Sequence, residues 1–430
     1  MVLVGLLAVL LLGILLGFPV ILAIGGAAIA GVLADPDIVL PIFAIKTFAT
    51  LDSFSLLAMP YFILAGGLMS HGGMSRQLVE FAETLVGHMR AGLAKTNVVA
   101  AMLLSNLSGS ATADTAAIGS VLIPTMKERG YKAGFAAALT ACSGTMGPVI
   151  PPSLTFIIYG SMTGVSIAGL FLAGILPGIL IGLGLIACVH ILSYTKRYPE
   201  MMRLAPRASW ADVGRATIRV WAAILMPIII IGGILGGVFT ATESGVVACF
   251  YAGFIGLVVD RTITVRQLPA IFLEAALISA TVLGILGVAG AFGWLLAYNN
   301  FASDVIASLT SVSSNGHVVL ALLLLLMLGL TMFVESLAVL VVLIPVAMAI
   351  TTTFGFDPYH VGVLMVVATQ IGSITPPVAV LLYVATGIAK TPFEETVRHC
   401  WPLLGTLLIV LAILFAVPII SYAVPRYVFG

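Results

Sequence analysis

Two carboxylates stand where carboxylates are costly. Asp114 closes the run Ser105-Asn106-Leu107-Ser108-Gly109-Ser110-Ala111-Thr112-Ala113-Asp114, and Glu335 follows Gly329-Leu330-Thr331 inside a long apolar stretch. Ionisable groups in such surroundings are rarely kept without a use. Around both acids the residues are small or hydroxylated, so the chain there can leave helical geometry and present carbonyl and hydroxyl oxygens. Two Pro-Pro breaks, Gly147-Pro148-Val149-Ile150-Pro151-Pro152 and Gly372-Ser373-Ile374-Thr375-Pro376-Pro377, turn carbonyls out of two further helices. Oxygens of this kind can replace part of the hydration shell of Na⁺, and helix N-termini ending nearby favour an anion. Gly, Ala, Ser and Thr are also the residues of close helix packing in membranes. Packing accounts for a single Ser or Gly; the whole constellation, found twice beside an acid, points to ion and anion binding.

The rest of the chain identifies its solvent. Of 430 residues, 8% are charged and 61% hydrophobic, against about 25% charged in an ordinary globular chain. So little polar surface cannot cover a water-exposed body, and the chain reads as an all-α integral membrane protein. At about 20 apolar residues per crossing, roughly 10 to 12 membrane segments fit. The net charge of +1, without a basic run, gives nucleic acid no footprint. Cys142, Cys188, Cys249 and Cys400 are far apart and the six histidines are scattered, which speaks against disulfides and structural zinc. No GxSxG, HExxH, GxxxxGK[ST] or GxGxxG pattern occurs. Ser108 or Ser110 beside a buried acid could serve an intramembrane hydrolase, but no histidine or lysine lies near them in sequence, and the chain is expected not to be an enzyme. Its start, Met1-Val2-Leu3-Val4-Gly5-Leu6, lacks a basic leader and reads as a retained first span.

The few wet stretches set the topology. Residues 71–95 carry Arg76, Glu80, Glu83, His88, Arg90 and Lys95 in an amphipathic pattern suited to the membrane interface. Residues 196–219 hold Lys196, Arg197, Arg203, Arg207, Arg215 and Arg219 and are assigned to the cytoplasm as a basic linker. Ser209 with Asp212 and Thr391 with Glu394 read as helix caps, the second with Pro392 at the first helical position and opening a short polar helix. Glu243 is expected to cap a span. Basic residues flank both ends of the apolar stretch between Lys95 and Lys127, so a single crossing would violate the positive-inside rule. A re-entrant hairpin over about 96–127, with its tip at Ser108-Gly109-Ser110, resolves this. A second hairpin is expected over about 318–352, with its break at Gly329-Leu330-Thr331. Val121-Leu122-Ile123-Pro124 recurs as Val342-Leu343-Ile344-Pro345, and the same offset places Asp114 on Glu335, Thr115 on Ser336 and Ser110 on Thr331. The Pro-Pro breaks recur in the same order, in broken helices over about 134–161 and 361–389. Residues 1–195 and 220–430 thus read as two inverted-topology repeats, the pattern of many secondary transporters.

Three segments closely resemble the large membrane subunit of tripartite ATP-independent periplasmic (TRAP) transporters: Leu107-Ser108-Gly109-Ser110-Ala111-Thr112-Ala113-Asp114, Gly147-Pro148-Val149-Ile150-Pro151-Pro152-Ser153 and Ile374-Thr375-Pro376-Pro377. Leu56 to Gly66 and Phe171 to Gly178 also fit that family, and the match spans essentially the whole chain. The resemblance implies an elevator-type Na⁺ symporter in the inner membrane of a bacterium or archaeon. It would import an organic acid anion, such as a dicarboxylate, a sugar acid or a sialic-acid-like compound. Its implied partners are a small membrane subunit on a separate polypeptide and a soluble periplasmic substrate-binding protein. Carried over by motif, one Na⁺ site would use Ser105, Ser108, Gly147, Ile150 and Pro152, and a second Gly329, Gly372, Thr375 and Val378. The anion would sit near Ser110, Thr112, Asp114, Thr331 and Glu335, and no organic cofactor is implied. The chain departs from the family's pattern at Glu335, where Asp is more usual, at Ala379, where Gly is, and at Thr240-Ala241-Thr242-Glu243, where Thr-Pro-Thr-Glu is. A stand-alone Na⁺/anion symporter or ion antiporter of similar hairpin architecture is the alternative.

Overall fold

Apolar runs become helices wherever Pro and Gly leave them uninterrupted, and in this chain the resulting lengths fall into two groups. The structure, a computed structural model, describes residues 2–195, 198–202, 206, 208–301, 303–305, 307 and 313–429, and every regular element among them is a helix. Among the described residues, six helical stretches are long and apolar enough to cross a membrane: Phe54–His71, Ile167–Leu192, Ala241–Val259, Leu268–Tyr298, Ser336–Phe354 and Phe393–Ala416. Trp210–Arg219 and Trp221–Leu235, bent by 60° at their junction, make a seventh if counted as one. The remaining apolar helices are shorter. One of 10 residues, such as Leu154–Thr163, rises only about 15 Å, half of a ~30 Å hydrocarbon core.

The first part of the chain builds a frame. Helices α1 (Val2–Leu15) and α2 (Val20–Ala34) pair, and α3 (Pro41–Leu51) leads into α4 (Ala58–His71). Helix α5 (Met74–Val86) is the expected amphipathic segment, with Arg76 Nε 3.2 Å from Glu80 Oε1. It stops at Val86, however, and Lys95 belongs to the next helix, α6 (Gly92–Ser108). There Lys95 is 2% exposed, with Nζ 3.3 Å from His190 Nδ1. Its charge therefore faces a helix C-terminus and not water, a partnership that local periodicity cannot reveal.

Helix α6 turns at Gly109–Ser110 into α7 (Ala111–Glu128). Next comes a helix in two pieces, α8 (Ala133–Gly144) and α9 (Leu154–Thr163), separated by the Pro151–Pro152 break. The long α10 (Ile167–Leu192) follows, then α11 (Trp210–Arg219), α12 (Trp221–Leu235), α13 (Ala241–Phe254) and α14 (Leu268–Tyr298). Lys196, Arg197, Arg203 and Arg207 of the basic linker lie outside the described residues.

The same order then recurs. Helix α15 (Gly316–Thr331) turns into α16 (Ser336–Phe354), and α17 (Pro358–Gly372) and α18 (Val380–Ala389) flank the Pro376–Pro377 break. Helices α19 (Phe393–Ala416) and α20 (Ile419–Phe429) complete the chain's described elements. The break at the second turn falls after Thr331, not at Gly329-Leu330-Thr331 as the small residues suggested. Thr331 Oγ1 donates to the carbonyls of Met327 (2.7 Å) and Leu328 (3.2 Å), so its hydroxyl is satisfied by its own helix, which continues through it.

The two hairpins and broken helices brace one another. Helices α7 and α8 pack on α18, and α9 packs on α16 and α17. Lys127 Nζ donates to the Ala389 carbonyl at the C-terminus of α18 (2.8 Å), and the Tyr159 hydroxyl to the Pro358 carbonyl (3.1 Å). Around this core, α4 packs against α13 and α14, and α14 against α2, α3 and α16.

The caps follow the sequence in two cases of three. Ser209 with Asp212, and Thr240 with Glu243, both form reciprocal capping boxes. At the third, the Thr391 hydroxyl donates to Glu395 Oε2 (2.7 Å), and Pro392 takes the cap position. The helix so opened is α19, 24 residues long, and not a short polar one. Thr240→Ala removes both a cap acceptor and a donor to Glu243 and should lower stability by about 1 kcal/mol. Thermal unfolding of the purified protein measures this, and Thr391→Ala should cost less.

Candidate functional site

Each hairpin tip meets a Pro-Pro break, and the two meetings are built alike. In the first, Gly109 ends α6 in the left-handed region (φ +61°), and a Cβ there would lie 2.8 Å from the Pro152 carbonyl oxygen. Only glycine satisfies both the backbone angle and that approach. Across the contact, a Cβ at Gly147 would come within 2.5 Å of Asp114 Oδ2 and 3.1 Å of the Ser110 carbonyl oxygen. Ser153 holds the break in shape: its Oγ donates to the Pro148 carbonyl (2.5 Å) and accepts from the Phe156 N–H (3.2 Å), capping α9.

The second meeting places Gly372 so tightly on Thr331 that an added Cβ would collide with the Thr331 hydroxyl. The Val378 N–H donates to the Met332 carbonyl (3.2 Å), tying break to tip directly. Thr375 donates its hydroxyl to the Ile371 carbonyl (2.7 Å) and its N–H to that of Gly372 (2.9 Å). The N–H groups of Met332, Phe333 and Val334 all turn to the Leu330 carbonyl, which spares the carbonyl of Gly329.

The structure therefore brings Gly147 and Pro152 to Gly109, Ser110 and Asp114, and Gly372 and Val378 to Thr331 and Met332. Ser105 is buried one turn before Gly109, its Oγ donating to the Ala101 carbonyl (2.7 Å) with lone pairs left over. Ile150 turns its side chain onto Gly178 of α10, so only its backbone can face the contact. Ser108 is the last residue of α6, and its side chain lies outside the described residues. Among the described residues, Thr115 Oγ1 and Ser143 Oγ are buried near the first contact without a hydrogen-bond partner. The oxygens at both contacts are carbonyls and hydroxyls, with the Asp114 carboxylate beside the first, a set that suits a hard cation.

Between the two tips lies a cavity of about 720 Å³. Hairpin residues Ser110, Thr112 and Asp114 line it on one side, and Glu335, Ser336 and Leu337 on the other; Pro148, Gln370 and Ser373 come from near the breaks, and α4 and α14 close the wall. Ser110 Oγ and Thr112 Oγ1 are 3.1 Å apart. Glu335 is turned back onto its own helix, with Oε2 accepting from the N–H groups of Leu337 (2.9 Å) and Ala338 (3.1 Å). Asp114 sits in the first turn of α7. Both acids thus lie where a helix dipole favours negative charge.

Among the cavity residues not singled out from the sequence are His71, Glu274 and Gln370. Glu274 had a signal, as the only charged residue within Leu268–Tyr298. His71 and Gln370 had none, since their neighbours come from distant segments.

Comparison with known proteins agrees over nearly the whole chain. The profile of the tripartite ATP-independent periplasmic transporter, DctM component, matches residues 3–420. The C4-dicarboxylate TRAP transporter large permease protein DctM of Pseudomonas aeruginosa is 36% identical over 400 residues, covering 93% of this chain and 92% of that protein. The sialic acid TRAP transporter large permease protein SiaM of Vibrio cholerae is 37% identical over 381 residues, 88% of each chain. Among solved structures, the Alcanivorax borkumensis YdaH transporter shares the fold, with a TM-score of 0.65 at 16% identity over 98% of this chain and 99% of that one.

If the second contact is as tight as the geometry states, Gly372→Ala should destabilise the protein by about 1–3 kcal/mol through overpacking. Adding Thr331→Ala should return part of that loss, because the two changes meet at one point. A double-mutant cycle of thermal unfolding measures the coupling, and additive effects would contradict the contact.

Proposed function

Because the chain belongs to the DctM-component family of tripartite ATP-independent periplasmic transporters, we propose that it is the large permease subunit of a Na⁺-coupled importer of an organic acid anion. Its substrate is a dicarboxylate, a sugar acid or a sialic-acid-like compound, handed over by a periplasmic binding protein. A small membrane subunit holds it in the inner membrane.

The observation that carries this reading is the charge of the cavity. Asp114, Glu274 and Glu335 line it, and among the described residues no Lys or Arg does. Such a cavity repels an anion until mobile cations enter. Two Na⁺ ions supply that charge, one held by Ser105, Ser108, Gly147, Ile150 and Pro152, the other by Gly329, Gly372, Thr375 and Val378. The anion then binds between the tips, near Ser110, Thr112, Asp114, Thr331 and Glu335. This order couples the fluxes: the anion is held only when the ions are. With two Na⁺ per monoanion, each cycle moves one net positive charge, worth about 2.3 kcal/mol per 100 mV.

Movement follows the elevator scheme, with the two hairpins and broken helices as the moving unit and α4, α13 and α14 as the frame. Ser53, just before α4, and Ser161 on α9 bridge the two parts, with their Oγ atoms 2.9 Å apart.

Two outcomes are expected in proteoliposomes holding the permease with its small subunit and binding protein. Uptake of the labelled acid needs an inward Na⁺ gradient and is not restored by K⁺, and uptake of a monoanion rises with an inside-negative potential; electroneutral uptake of a monoanion would contradict the stoichiometry. Oxidative cross-linking of a Ser53→Cys/Ser161→Cys pair stops uptake, and reduction restores it. Full activity of the cross-linked protein would exclude movement between the two parts.

A further inference from the structure

The cavity's one side chain able to carry positive charge, among the described residues, is His71 at the end of α4. Its Nε2 lies 3.8 Å from Glu274 Oε2 on α14, and both side chains are substantially exposed. The other ring nitrogen fixes the protonation logic. Nδ1 is 2.9 Å from the Gly67 carbonyl oxygen, and since a carbonyl only accepts, Nδ1 carries a proton there. Nε2 then bears hydrogen only in the imidazolium form, so any carboxylate that bonds Nε2 meets a cation. The titratable groups sharing the cavity with it are Glu274 from α14, Asp114 from α7 and Glu335 from the α15–α16 tip; α5 contributes Ser75, and α6 contributes only Leu104.

The position of the pair gives it a task. Arg76 and Arg90 follow α4 closely, and Arg261 and Arg266 precede α14, so the positive-inside rule puts this end of the cavity at the cytoplasm. Above it the frame wall is mostly aliphatic, with Ile63, Ile278 and Ile285. An anion leaving the tips crosses that apolar wall and reaches the pair last.

We propose that His71 is the cationic contact for the substrate's carboxylate at the cytoplasmic mouth, and that Glu274 competes for the same imidazole and so drives release. This rests on the import of an organic anion argued above. Glu274 needs no movement to compete: when the substrate carboxylate departs, the imidazolium passes from one carboxylate to the other, and the mouth returns to the arrangement seen in this structure.

The test uses the complete transporter in proteoliposomes and the first of succinate, N-acetylneuraminate and gluconate that the wild type accumulates, with KM measured in efflux for the acid presented at the cytoplasmic face. His71→Ala should raise KM about tenfold, the loss of one charge-assisted hydrogen bond, and change Vmax less. His71→Lys, which keeps a cation, should recover most of the affinity. Glu274→Gln removes the competitor and should lower KM about threefold, with slower turnover because release is slowed. Unchanged KM in His71→Ala, or an unchanged or raised KM in Glu274→Gln, overturns the assignment while leaving anion import intact. A wild type that accumulates none of the three acids despite a Na⁺ gradient counts against the import reading itself, and this inference falls with it.

Discussion

Backbone groups that leave a helix at membrane depth must find partners, because the surrounding hydrocarbon offers none. Among its described residues, this chain leaves the helix at the two hairpin tips and the two Pro-Pro breaks. It brings them together in pairs, each tip against a break. The Val378 N–H finds the Met332 carbonyl, and Gly109 comes against the Pro152 carbonyl. The carbonyl and hydroxyl oxygens at these contacts are the ones the proposed function assigns to Na⁺. Close approach at Gly147 and Gly372 follows from the same need, as does the interlocking of the two halves through α7, α9, α16 and α18.

Charge placement builds on that geometry. Asp114 and Glu335 sit at helix N-termini, where the dipole offsets part of their cost, and Glu335 also takes two backbone N–H bonds that an anionic ligand would otherwise claim. The cavity is thereby left negative. In the proposed function such a cavity would need its ions for anion binding as well as for energy, so that coupling would be a property of the site and not of a separate gate. The wall from α4 and α14 contributes the contrasting surface, mostly apolar, with Thr281 along its length and Ser70, His71 and Glu274 at one end.

Much of this was legible in the sequence because membrane constraints leave few alternatives. Small residues beside an acid and paired prolines mark broken helices, and the recurrence of the Val-Leu-Ile-Pro segments marks the second set. What escaped depended on partners far along the chain or on a choice between near neighbours. Lys95 looked wet by periodicity but faces His190. Thr391 looked like a cap, yet its hydroxyl is drawn to Glu395. The second tip was placed slightly early because Thr331 can satisfy its own hydroxyl within the helix. His71 gave no local sign, since its role depends on a glutamate on a helix that begins at Leu268.

Na⁺ binding at the two tip–break contacts is tested by thermal stability of the purified protein in NaCl, KCl and choline chloride at equal ionic strength. A ligand of the folded state stabilises it by RT ln(1 + [L]/Kd), so Na⁺ alone should raise Tm, and Thr375→Val should weaken that rise. Equal Tm in all three salts, for the wild type and Thr375→Val alike, would contradict the account.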